Sequence, residues 1–304
     1  MKVGDRSDWP PATASEIVER VPPGNQPRVE PAAFPGGHSL FDTMFVALHG
    51  NLTPHPWRDP LFAESDAYSL FTARSAAMGW LASPSSGASH GIWAMNDAGQ
   101  DPGLQYSPPR VAWFQTALTQ PFPPEQPLPV QAFLACAGDV IAHIGTLDLQ
   151  AVHLLVPSPV PIVGPSAPSH SAAFSALWSA RSWFADRNPE SMTSVQVTLD
   201  GGQNPLMHSA SPKAFRWMQM IKQDIFSCDT LSLAYEDAVV LEPGIADGLW
   251  VGPGYHRATF AGTLVEWSLD AVGWLAACLT DAVHKYGVNT PLLIAASPTV
   301  RNSW

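Results

Sequence analysis

Hydrophobic positions change period along this chain in a way that predicts helices and strands in alternation. Leu40, Phe41, Met44, Phe45 and Leu48 recur at helical spacing behind a Ser39/Asp42 capping pair and before Gly50, which predicts a first helix. A buried strand competes there, because the run is short and almost wholly apolar. A second helix is predicted over 66–81, containing Leu70-Phe71-Thr72-Ala73-Arg74-Ser75, and a strand over 91–96 (Ile92-Trp93-Ala94-Met95). Ser107 as N-cap and Pro108 as first helical residue predict a helix through Trp113 and Leu118. A short strand over 130–133 is expected to lead into a helix over 134–143, stopped by Gly145, and 152–156 reads as a β-branched and leucine-rich strand.

The order then replays. Leu177-Trp178-Ser179-Ala180-Arg181-Ser182 matches residues 70–75, and a strand over 195–199 matches the one over 91–96. Ser211-Pro212 is expected to open a helix through Trp217, Met220 and Ile221, and 231–235 forms the next strand. Cys278 to His284 and Gly287 echo Cys136 to His143 and Gly145. Leu292-Leu293-Ile294 with Ser297-Pro298 echoes Leu154-Leu155-Val156 with Ser158-Pro159. The sharpest echo is Asp97-x-Gly99-Gln100 before Ser107-Pro108, Trp113, Gln115 and Phe122, against Asp200-x-Gly202-Gln203 before Ser211-Pro212, Trp217, Gln219 and Phe226.

These patterns predict an α/β fold, with α+β as its variant. Two internally duplicated, pseudo-symmetric halves carry helices over mixed sheets, like a fused isologous dimer. The expected organisation is a proline-rich arm (1–37), a first repeat (38–160), a linker (161–172) and a second repeat (173–304). Pro161, Gly164, Pro165 and Pro168 mark the boundary, and seven prolines mark the arm. Within the arm Thr13 and Glu16 form a capping box for one short helix. Aligned on Ser-Pro, the second copy holds an insertion at about 236–267 with no counterpart in the first.

Composition narrows the function. Charged residues are 13% of the chain, about half the roughly 25% usual for soluble domains. Such a surface suits contact with copies of itself or a partner. A net charge of -11 with 15 Lys and Arg and no basic run argues against nucleic acid and against an anionic membrane. No run of about twenty apolar residues occurs and the first nine residues lack a signal-peptide core, so a soluble, cytoplasmic protein is expected. Cys136, Cys228 and Cys278 have no CxxC spacing, so neither a zinc knuckle nor a disulfide frame is indicated.

Candidate chemistry is sparse. No phosphate loop, dinucleotide fingerprint or nucleophile elbow is present, so no cofactor is expected. His38, His49 and His55 could ligate a metal only if the fold gathered them, and no metal site is expected. Arg74 and Arg181 need acidic partners on apolar helix faces, with Asp97 and Asp200 the suggested ones. His143 and His284 suit helix C-termini, and Trp113 and Trp217 suit the core of N-capped helices. Tyr255, His256 and Arg257, with Asp247 or Glu242 as carboxylate, offer an acid/base, a proton carrier and an anion-holding fork on the unmatched loop. Consecutive residues in an extended loop point different ways, so at most two could serve one site. Two functions follow: a non-catalytic assembly or partner-binding protein, such as an oligomeric subunit or an acidic inhibitor, and a small-molecule hydrolase or transferase with a cleft between the repeats lined by residues 242–257.

Overall fold

The most apolar run of the first half is a strand. Thr43 through Gly50 are buried on both sides, which the cylinder of a lone surface helix does not allow but an inner strand does. The computed structural model describes residues 42–58, 67–82, 91–96, 108–120, 127–158, 179, 182–186, 188–221, 224–234 and 256–299. In chain order these form β1 (Thr43–Pro54), α1 (Ala67–Ala77), β2 (Trp93–Met95), β3 (Arg110–Leu118), α2 (Val130–Ile144) and β4 (Gly145–Val156). There follow β5 (Thr193–Asp200), α3 (Leu206–Met220), β6 (Phe226–Ala234), β7 (Arg257–Leu264), α4 (Leu269–Lys285) and β8 (Leu292–Pro298). The arm (1–37) and the linker (161–172) lie outside the described residues.

All eight strands share one sheet, in the order β2-β3-β1-β4-β8-β5-β7-β6. Every neighbouring pair is antiparallel. Each half thus runs β-α-β-β-α-β with its strands ordered fourth, first, third, second, the ferredoxin-like plait. The two plaits meet edge to edge at β4 and β8, paired from Val152↔Ala296 to Val156↔Leu292.

The described helices pack on one face. There Met44, Val46 and Leu48 of β1 join Phe114, Val152, Leu154, Val197, Phe260 and Ile294 in one continuous core. Helix α4 is buried almost all round, with Trp274, Leu275, Cys278, Leu279 and Val283 inside. It starts at Ser268, whose Oγ accepts from Ala271 N at 3.2 Å. Helices α2 and α4 pack over the seam so closely that a Cβ at Gly273 would stand 3.2 Å from Gln131 Cα. A glycine there costs a helix about 1 kcal/mol, and the close approach explains its use. On the other face Phe45, Leu155 and Leu293 form a smaller buried cluster flanked by Trp113 and Ala295.

Several expectations are corrected. The sheet is antiparallel throughout and not mixed. Residues 107–118 form strand β3, because Val111, Trp113, Phe114 and Thr116 are β-branched or aromatic and split between the two faces. Residues 130–133 belong to α2. Helix α3 begins at Leu206, whose N–H is accepted by Asn204 Oδ1 at 3.1 Å, so Ser211 and Pro212 sit inside it. Ser211 does not cap; its hydroxyl donates back to Met207 O at 2.6 Å. The two Ser-Pro stretches therefore occupy a strand in one half and a helix in the other. The segment 236–267 is no insertion, since β7 lies within it and pairs with both β5 and β6. By topology β7 is the counterpart of β3, and α4 and β8 are those of α2 and β4.

Candidate functional site

The loop singled out by sequence leads into β7, and that strand settles where its side chains go. Arg257 opens β7 opposite Asp200, the last residue of β5. Ala258 and Phe260 face the helices, so Arg257 and Thr259 face the other way. Arg257 Nε donates to Asp200 Oδ2 at 2.6 Å, and both side chains are buried. Asp200 Oδ1 also accepts from Gly202 N at 2.8 Å across a tight turn in which Gly202 has φ +60°. One residue pair along the same face, the Thr198 and Thr259 hydroxyls hydrogen-bond at 2.9 Å. Burial raises the Asp200 carboxyl above its ordinary range even though Arg257 and Gly202 N–H pull it down.

His256 goes to the opposite side. Its ring meets His208 of α3 edge-on at 4.8 Å, and its carbonyl accepts from Gly201 N at 3.1 Å. The structure thus divides the expected trio: Arg257 is held by Asp200, His256 lies against α3, and Tyr255 falls outside the described residues, as do Asp247 and Glu242. What the sequence missed is the partnership of Asp200 with Arg257, which lies across two strands and has no spacing signature.

The seam between the plaits holds no cleft along its paired length. Strand pairing is continuous from β4 to β8 on one side, and α2 packs on α4 on the other. Close to the seam, His49 and His153 sit with ring centroids 4.6 Å apart, beside Trp113, which stacks on Phe45 at 5.1 Å and carries the Arg110 guanidinium 4.9 Å from its centroid. His49 Nδ1 donates to Pro108 O at 3.2 Å. Burial holds the His49 imidazole below its ordinary pKa, and the Arg110 charge adds to this.

That shift sets a pH dependence. His49 is kept neutral in the fold but takes a proton at its ordinary pKa of 6.5 when unfolded, so acid favours the unfolded chain. Stability is full above pH 6.5 and declines as pH falls from there toward the lower folded value. Urea titrations at pH 7.5 and pH 5.5, values chosen about one unit either side of the histidine pKa, will give a lower midpoint at the acid pH. His49→Gln will reduce that difference.

The remaining candidates resolve into scaffold. Arg74 pairs with Asp139 of α2 and not with Asp97 or Asp200; Asp97 and Arg181 lie outside the described residues. Trp113 lies on a strand, and Trp217 is buried in α3 with Lys285 Nζ 5.5 Å from its ring. His49 and His55 are not gathered, and among the described residues no cluster of three His, Cys, Asp or Glu could hold a metal. All three thiols are buried and held protonated, that of Cys228 pushed up to about 12.

Two residues that the sequence left unweighted stand out. Trp57 is 67% exposed and Trp183 is 70% exposed. Trp57 stacks on His55 at 5.3 Å and meets His143 edge-on at 6.0 Å, while His55 Nε2 bonds Ala142 O at 2.9 Å. Trp183 hydrogen-bonds Asp270, whose carboxyl is raised by burial, then by Glu266 and Asp139. Asp139 lies one helical turn before His143. Both indoles therefore belong to the end of the helix pair where α2 finishes and α4 starts. No helix among the described residues is long and apolar enough to cross a membrane. The chain matches no family model, no curated protein and no solved structure.

Proposed function

We propose that this chain is a non-catalytic assembly or partner-binding protein. The reading is carried by Trp57 and Trp183, two largely exposed indoles at one end of the α2–α4 pair, on a chain with only 13% charged residues. Tryptophan is the residue most enriched among interface anchors, and its exposure in an unbound surface costs hydrophobic free energy that a partner recovers. Arg257 speaks against the small-molecule enzyme, because its guanidinium is engaged by a buried scaffold carboxylate. The repeated plait, joined edge to edge, fits descent from an isologous dimer whose two copies were fused by duplication, and such an origin suits an assembly protein.

The test is native mass spectrometry of the full chain and of the complex it forms, with affinities for Trp57→Ala and Trp183→Ala. Each substitution is expected to weaken association by about 2 kcal/mol or more, as for a central anchor, with far-UV circular dichroism unchanged. Unaltered affinity in both variants would sink the reading. So would turnover of a small molecule that Arg257→Lys abolishes while the fold persists.

A further inference from the structure

The two outer edges of the sheet hold the same place in their plaits but are built differently. At one edge β2 is three residues long, a length that gives a foreign strand little to pair with. At the other, β6 runs for nine residues, Phe226–Ala234, and among the described residues pairs only with β7. It contains no proline and one charged residue, Asp229. Asp229 sits in a bulge between Cys228 and Thr230 that is fixed from within: Gln219 Nε2 donates to Cys228 O at 3.3 Å, and Ser227 Oγ donates to Asp229 Oδ1 at 3.2 Å. Beyond the bulge, Thr230 to Ala234 is a regular, uncharged edge. Its Leu231 and Leu233 are half-buried against the core, and Thr230 and Ser232 are exposed.

We infer that the β6 edge pairs with β6 of a second copy of this chain, antiparallel about a two-fold axis. This rests on the assembly reading above and names one partner of it. The molecule already contains this kind of joint: β4 and β8 meet antiparallel at plait edges, with a helix pair packed above. A second copy at β6 repeats that geometry, covers Leu231 and Leu233 with their counterparts, and places no like charges opposite one another in the regular part of the edge. Met220, 70% exposed at the end of α3 where the chain turns into β6, lies beside the same edge.

Sedimentation equilibrium and native mass spectrometry of the full chain, at tens of micromolar, test this. The wild type is expected to be dimeric, and Ser232→Lys or Thr230→Lys to raise the dimer dissociation constant by about tenfold or more with the far-UV spectrum retained. Ser232→Cys and Thr230→Cys chains serve if a lysine variant misfolds, and at least one should form an intermolecular disulfide under mild oxidation. A wild-type dimer that neither lysine variant weakens and neither cysteine links overturns the β6 joint while leaving the assembly reading standing. A monomer throughout, or an edge filled by a strand of a different protein, overturns it too; only loss of the Trp57 and Trp183 effects removes the reading beneath.

Discussion

Asp200→Ala will lower the unfolding free energy by about 3–5 kcal/mol, the range for breaking a buried pair from one side. The loss does not measure the strength of the ion pair. Burial raises the Asp200 carboxyl despite its partner, so removing these two charges from water costs more than their attraction returns. The damage arises because the substitution strands the Arg257 guanidinium, whose side chain is about nine-tenths buried and whose Nη1 is already without a hydrogen bond. The turn at Gly202 loses its acceptor as well. An Asp200→Leu/Arg257→Met chain should therefore recover most of the loss, since it removes both charges and keeps the volume. Urea denaturation of the two variants decides it. If Asp200→Ala is near neutral, the pair is not the buried scaffold link described here.

Trp274→Ala will cost about 3–5 kcal/mol, with thermal and urea midpoints both lowered. Trp274 is among the largest fully buried side chains and lies on α4, the helix that touches both halves. Its neighbour Gly273 is where α4 comes closest to α2. A cavity at this place lies over the β4–β8 seam, so both plaits should lose stability in one transition. Separate transitions for the halves would show that the seam does not couple them.

How much of this was legible beforehand varies by element. Helices α1 and α4 and strands β2, β4, β5, β6 and β8 follow from local pattern, because each has one apolar face or a β-branched run with a clear stop. The misreadings share a cause. Strand β1 is buried on both faces, so its apolar residues show no period of two, and helical spacing among them is accidental. Ser107-Pro108 and Ser211-Pro212 carry the same local signal, yet one precedes a strand and the other lies in a helix that Asn204 has already started. Tertiary context overrode propensity in both. The candidate site failed for a different reason. That Tyr255, His256 and Arg257 cannot act as a trio was readable from backbone geometry, but the identity of Arg257's partner depends on strand order.

By itself the sequence determined the layering of helices on strands and the replay of the last helix and strand of each half. It also determined the scarcity of charge that suits a surface to partners, since periodicity, caps and composition are local properties. Only the tertiary structure decided the rest. It put all eight strands in one antiparallel sheet, made β7 the partner of β5 and so gave Arg257 to Asp200, and left Trp57, Trp183 and the β6 edge facing outward. Those outcomes depend on which segments far apart in the chain pair with one another, and pairing is selected by burial of the whole sheet and not by any short stretch of it.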